Sequence, residues 1–365
     1  MPTPTASITM KDSSRCVWIS SDLPRVTRTK ACAWYRLIDR GPMKFLAALA
    51  PLLLLPALAQ SAPRASDGDI ANRALLMAAE TGRTDLVAFA LDHGANIEAR
   101  DQRPPRRSAL VLAVEGGHYP VVRLLLARGA DANAVTDDGY TPLMVAADAR
   151  DDPLMGVELI GAGARVNTAA ADGRTALMAA AGRGHEYFVN LLLLNKAATD
   201  AMDNEGRDAL LLAAEDGSLA STDALLKAGA DPGRRARNGE TSLGRAVIGA
   251  YSRVAARLLA AGADVNAPGT SGQTPLIIAV RTGNTTTATV LLEAGADVNR
   301  VELGNGNSAL MYAANSGFAD LVGILLASGA DVGATARDGW TAVQAAEMVG
   351  ETAIVDRLRA AARGD

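Results

Sequence analysis

Cysteine is almost missing from this chain. Of 365 residues only two are cysteine, Cys16 and Cys32. Both precede Gln60, so disulfide staples and thiol chemistry are excluded from everything beyond that point. Aromatic residues are also scarce, at 4% of a chain that is 49% hydrophobic. The apolar mass is therefore mostly Ala, Leu and Val, which suits thin layers of closely packed helices better than one thick core. Histidine numbers three (His93, His118 and His185), widely separated, with no cluster at metal-ligand spacing. No serine lies in a nucleophile elbow and no glycines form a phosphate loop. Acidic pairs such as Glu215 and Asp216 read as solvated helix ends. An enzyme is not expected, nor a cofactor or metal.

Long apolar runs are lacking as well. The longest lies within residues 43–59, MKFLAALAPLLLLPALA. Lys44 supplies a positive start, residues 45–55 a short apolar stretch, and Ala57-Leu58-Ala59 a small-x-small cleavage site before Gln60. The run falls short of the roughly 20 residues that a membrane-spanning helix needs. This is the pattern of a cleaved signal peptide. Residues 1–42 precede it without periodicity, holding both cysteines with Trp18 and Trp34. Either Met43 is the initiator, or 1–42 is a real extension and the apolar stretch an inner-membrane signal anchor. The expected organisation is an unstructured extension (1–42), a signal peptide (43–59), a linker (60–68) and one repeat domain (69–365).

Charge gives a further exclusion. The whole chain carries −4; eight of its 36 basic and three of its 40 acidic residues lie before Gln60, which leaves the remainder at −9. An acidic body argues against general binding to nucleic acid or anionic membrane.

What is present is a repeat. Variants of GADVN begin at Gly94, Gly129, Gly163, Lys196, Gly229, Gly262, Gly295 and Gly329, spaced 33 to 35 residues apart. A second anchor keeps the same beat at Ser108, Thr141, Thr175, Asp208, Thr241, Thr274, Ser308 and Thr341. In residues 270–303, Thr274 can cap a helix and Pro275 suits its first position. A first helix is expected at 276–282, ended by Gly283. A second follows at 285–294, ended by a left-handed Gly295. An extended turn completes the unit. Alone, about 33 residues cannot bury such an apolar face; stacked units can.

These residues resemble the ankyrin repeat. DGYTPLMVAA at 138–147 matches the family's first-helix motif, and Gly184-His185 its inter-helix turn. The resemblance covers about nine units and points to an exported bacterial member. It implies an all-α solenoid of helix pairs with β-hairpin-like fingers, and a concave groove between fingers and first helices that binds proteins. His118 and His185 take the family's structural histidine position, and His93 a helix end. Some residues depart from the motif. The family's T-P-L-H histidine is replaced throughout, for example by Met144, Met178, Leu211, Ile277 and Met311. Lys196 stands at a left-handed glycine position. The third unit has Arg150 where glycine belongs, followed by Asp151, Asp152 and Pro153. The sixth has Gly244 inside its first helix and Ala250 at the turn. The third and sixth units are expected to be soft joints.

The resemblance places candidate partner-binding residues on the finger tips and the adjoining helix ends. They are Arg103, Arg106, Arg107, Tyr140, Arg174, Arg207, Arg235, Arg237, Glu240, Gln273, Asn307, Arg337 and Trp340, all expected to be exposed. Arg and aromatic side chains are the usual hot-spot types. Arg257 falls on the outer helix, away from them. The expected function is a monomeric periplasmic or secreted adaptor that binds a protein. Its rivals are a regulator or stabiliser of an exported enzyme, such as an oxidative-stress enzyme, and a secreted effector acting on a host protein.

Overall fold

The computed structural model describes residues 67–363, and with them the backbone of two short strands, β1 (Ile8–Met10) and β2 (Cys16–Trp18). The strands pair antiparallel, Thr9 opposite Val17. They give the stretch 1–42, expected without regular structure, one short pair. Otherwise that extension, the apolar segment 43–59 and residues 60–66 lie outside the described residues. The strand pair belongs to one unit of the chain, Met1–Ala65, and the repeat array to another, Ser66–Asp365.

The array is an all-α solenoid of eighteen helices in nine pairs. The first pairs are α1 (Asp67–Glu80) with α2 (Thr84–Asp92), α3 (Ala109–Glu115) with α4 (Tyr119–Ala127), and α5 (Pro142–Ala149) with α6 (Pro153–Gly161). The middle pairs are α7 (Ala176–Ala181) with α8 (Glu186–Leu194), α9 (Ala209–Asp216) with α10 (Leu219–Lys227), and α11 (Ser242–Ile248) with α12 (Ser252–Ala260). The last are α13 (Pro275–Arg281) with α14 (Thr285–Glu293), α15 (Ala309–Asn315) with α16 (Ala319–Ala327), and α17 (Ala342–Val349) with α18 (Thr352–Arg363). Each pair is one unit, and the loop entering its first helix is that unit's finger. α1 starts at Asp67, so the array takes in the end of the expected linker. First helices stack on first helices and second on second, chiefly between adjacent units. No helix among the described residues is long and apolar enough to cross a membrane.

The recurring Ser, Thr and Asp anchors do the capping that their spacing predicts. Each of the eight, from Ser108 to Thr341, has extended backbone and accepts a bond from the N–H three residues on. The inner helices they start have only six to eight residues beyond α1, too short to persist alone. Burial holds them: Leu110, Leu143, Leu177, Leu210, Leu243, Leu276 and Leu310 recur at one position, each no more than 2% exposed. Alanines such as Ala113, Ala147, Ala180 and Ala213 let neighbouring inner helices approach closely.

Lys196 and Ala250 adopt φ of 61° and 62°, as their positions require. Each such residue costs about 1 kcal/mol relative to glycine. His118 and His185 are structural. His118 Nε2 lies 3.0 Å from the Glu80 carbonyl and His185 Nδ1 2.8 Å from that of Ala147, so each ties its unit to the one before. Tyr251 fills the same place in the sixth unit; a Cβ on Gly249 would come within 2.3 Å of its ring. His93 bonds locally to the Phe89 carbonyl at 2.8 Å and stacks on the Phe89 ring.

Asparagines stitch the far side of the array. Asn133 donates to the Gly163 carbonyl at 3.0 Å and accepts from the Arg165 N–H at 2.8 Å. Asn167 and Asn299 repeat both bonds one unit on, and Asn266 the second of them. Gly233 occupies this position in the fifth unit and Gly333 in the eighth, so those links to the sixth and ninth units are missing.

Candidate functional site

Every finger closes on itself through one backbone bond near its tip. The carbonyl of the residue before the cap accepts it: Arg107, Tyr140, Arg174, Arg207, Glu240, Gln273, Asn307 and Trp340. The side chains of these eight residues flank the groove between fingers and inner helices. Their register is therefore as expected, but their freedom is not.

Three of the expected exposed residues are taken up inside the array. Arg107 has a side chain only 20% exposed, with Nη2 donating to Asp101 at 3.1 Å and Nη1 to Glu115 at 2.7 Å. Arg207 is 23% exposed and donates from Nε to the buried Asp203 at 2.8 Å. Gln273 is 6% exposed and donates to Glu302 at 2.9 Å. In each case a carboxylate in the same or the next finger captures the side chain, so these positions correct the expectation of exposure.

Others stay at the surface but are tied. Tyr140 donates to Asp172 at 3.1 Å, and burial, ahead of the nearby carboxylate, raises its phenol above the usual range. Arg174 sits half-buried against that phenol. Glu240 pairs with Arg245 at 3.0 Å, and Arg245 also reaches Glu215 at 3.5 Å. Arg103 bridges to Glu80 at 3.0 Å and Arg106 to Asp137 at 3.8 Å. Arg235 donates to the Pro268 carbonyl at 3.1 Å and Arg337 to that of Leu303 at 2.6 Å. Asn307 is half-buried.

Two candidates remain free. Arg237 is exposed, with no side-chain bond or ion pair among the described residues. Trp340 is 40% exposed beside Met348, in a shallow depression that Asp338 and Gln344 also line. A second cleft, of about 330 Å³, lies between the sixth and seventh units, walled by Gly244, Ile248 and Ile278 with Arg245 and Arg281 beside them. Among the described residues no group of His, Cys, Asp and Glu is placed to hold a metal.

Family models for "Ankyrin repeats (3 copies)" match residues 53–136, 75–155, 143–236 and 221–302, and one for "Ankyrin repeat" matches 305–337. The chain belongs to the ankyrin-repeat family. Its relatives include the ankyrin repeat and KH domain-containing protein mask-1 of Caenorhabditis elegans, 32% identical over 163 residues, 44% of this chain and 5% of that protein. The ankyrin repeat and SOCS box protein 16 of Mus musculus is 33% identical over 180 residues, 47% of this chain and 39% of that protein. The ankyrin array thus spans under half the length of these relatives. Proteins of this kind serve as interaction modules.

Sequence reading missed two features that a comparison of equivalent positions exposes. One is the cleft at Gly244, where other units carry a large side chain. The other is an apolar surface on the outer helices of the third and fourth units. Leu154, Tyr187 and Leu194 are 62%, 65% and 82% exposed there. Leu154 and Tyr187 stand where other units have Asp85, Arg253, Thr286 and Asp320. Arg257, which lies on the outer helix as its helical register predicts, pairs with Asp223.

Proposed function

We propose that this ankyrin array is a non-catalytic recognition scaffold that binds a protein through the groove between its fingers and inner helices, and that it works in the periplasm or after secretion. The observation that carries the groove reading is the contrast among its candidates. Most cations there are held by carboxylates or carbonyls of the array, whereas Arg237 and Trp340 stand exposed without a side-chain partner. An exposed arginine and an exposed tryptophan are the residue types that dominate binding energies. Export is supported by the apolar segment ending at Ala57-Leu58-Ala59, and the lack of cysteine after it is compatible with an oxidising compartment.

Capture from periplasmic extract tests the groove. Trp340→Ala and Arg237→Ala are each expected to weaken the dominant captured protein by about 2 kcal/mol, roughly thirtyfold in Kd. Arg253→Ala, on the exposed side of α12, should leave capture unchanged. If Tyr187→Ala with Leu194→Ala abolishes capture while the groove variants do not, binding belongs to the outer helices and the reading fails. Mass spectrometry of the native protein tests export: the expected N-terminus is Gln60, and a mature form retaining Cys16 and Cys32 overturns it.

A further inference from the structure

One position of the inner helix, three residues past the cap, is filled under the fingers in nearly every unit. Val111, Met144, Met178, Leu211, Ile277 and Met311 occupy it, none more than 4% exposed. In the sixth unit it is Gly244. Glycine weakens a helix interior, and here it also removes a core side chain. The neighbours have not collapsed into the space. A Cβ built on Gly244 would meet only the Thr241 Oγ1, at 3.2 Å. What remains is the cleft of about 330 Å³ that opens into the groove.

Its walls and rim have a defined chemistry. Ile248 and Ile278 line it together with Gly269, Thr270 and Ser271 of the seventh finger. Ile248 is 51% exposed at the mouth, where most other units carry a charged or polar residue (Glu115, Asp148, Glu215, Arg281 and Asn315) and the last carries Met348. Arg245 is already balanced by Glu240 and Glu215. Arg281 is not: it makes no ion pair among the described residues and lies over the Tyr312 ring, 5.4 Å from its centroid. The roof is also loosely fastened. Backbone N–H groups link one finger tip to the next at Asp137 to Pro105, Ala171 to Asp138, Asn204 to Asp172, Arg237 to Glu205 and Arg337 to Asn305, all between 2.8 and 3.0 Å. Between the sixth and seventh fingers no such backbone bond is present among the described residues; the Arg235 side chain on the Pro268 carbonyl makes the link there, at 3.1 Å.

We propose that this cleft is an anchor pocket, within the groove reading on which it rests, for an extended polypeptide segment carrying a large apolar side chain beside a carboxylate. The apolar side chain enters between Ile248 and Ile278, and the carboxylate meets Arg281. The volume is that of about ten waters, at the lower edge of ligand pockets, which fits one large side chain. Side-chain volume given up at the floor of a binding groove is stability exchanged for a site.

A random 12-residue peptide library displayed on phage, selected against the wild-type protein, supplies the probe. A consensus of Leu, Met or Phe next to Asp or Glu is expected. In fluorescence anisotropy the best peptide should bind Gly244→Met at least tenfold more weakly, because the methionine refills the pocket as Met178 does in the fourth unit. That variant should unfold at higher urea than wild type, so the loss is not misfolding. Ile248→Asp, at an exposed position, should lose binding to a similar degree, and Arg281→Gln should remove the preference for the acidic residue. Equal binding to wild type, Gly244→Met and Ile248→Asp overturns the pocket, as does the absence of any consensus. If the selected peptides instead depend on Trp340 and Arg237, the groove reading stands without the pocket. If no groove variant affects them, both fail.

Discussion

Asp208 shows what one substitution does within a repeating frame. Every other cap in the series is Ser or Thr; this one is a carboxylate, 2% exposed. It accepts from the Leu211 N–H at 2.8 Å, and Arg234 lies 3.6 Å away. Burial outweighs that help and raises its pKa above the usual carboxylate value. A carboxyl raised in the folded state keeps its proton longer there than in the unfolded chain. Its contribution is therefore most favourable below the unfolded value of about 3.9 and is lost as pH rises through the folded one. Asp208→Asn keeps a capping oxygen and removes the buried charge. It should stabilise the protein by about 0.5 kcal/mol at pH 7, with the gain shrinking as pH falls toward 4. Asp208→Ala should cost about 1 kcal/mol through the lost cap. Urea titrations at both pH values check the pair. A larger benefit of Asp208→Asn at pH 4 than at pH 7 would contradict the sign argued here. The same residue scale explains why site prediction from sequence was partial. Register placed Arg107, Arg207 and Gln273 just before their caps, where each closes its finger. What captures each is a carboxylate, Asp101, Asp203 or Glu302, whose approach depends on how a finger folds or on the unit beside it. Spacing alone does not reveal that partner.

At the scale of elements, the two joints expected to be soft are built differently. The third unit lacks glycine at its turn, and Arg150 is extended rather than left-handed. Yet Asp152 caps α6, and Asp151 reaches across to the next unit, accepting from the Tyr187 and Phe188 N–H groups at 3.3 and 2.9 Å. It does for α8 what His185, which gives that helix no side-chain cap, does not. Arg183 adds a two-pronged bond to Asp148 at 2.9 and 3.1 Å. In the sixth unit Arg245 and Arg257 reach back to Glu215 and Asp223 of the fifth, but no side chain fills the space at Gly244 or relieves the left-handed Ala250. Hydrogen exchange is therefore expected to be fastest at 244–252, with 148–156 protected more nearly like 274–295. Asp151→Ala should cost roughly 1 kcal/mol and speed exchange at 148–156 and at the start of α8. Fast exchange at 148–156 in the unaltered protein would show that the cross-unit cap does not hold. The helices themselves were readable from sequence because Thr274, Pro275, Gly283 and Gly295 each act within a few residues. Asp151 was read only as a break in the motif, since its role lies 36 residues away.

For the whole array these local differences concentrate in one place. An ankyrin stack is close to one-dimensional: each unit is held by its own contacts and those to its two neighbours. Around the sixth unit several of these are weak at once. Gly233 supplies no asparagine link into it, Gly244 leaves its floor unfilled, Ala250 is strained, and no backbone bond joins its finger to the next, which leaves that link to the Arg235 side chain on the Pro268 carbonyl. The array should then unfold as two blocks that part near this unit, rather than in one step. The three tryptophans are Trp18, Trp34 and Trp340, so in the form beginning at Gln60 selectively excited tryptophan emission comes from Trp340 alone and reports the C-terminal block. Far-ultraviolet circular dichroism reports all eighteen helices. The two probes are expected to give transitions at different urea concentrations. Gly233→Asn restores the missing link, and its Cβ would meet only the Asp231 carboxylate, at 3.3 Å. Two regained hydrogen bonds are worth about 1 kcal/mol each. Combined with Ala250→Gly, which relieves the left-handed turn, it should draw the two transitions together. Superimposed transitions in the unaltered protein would mean that coupling through the sixth unit is as strong as elsewhere, and that the weak links counted here are made good by packing between α9, α11 and α13.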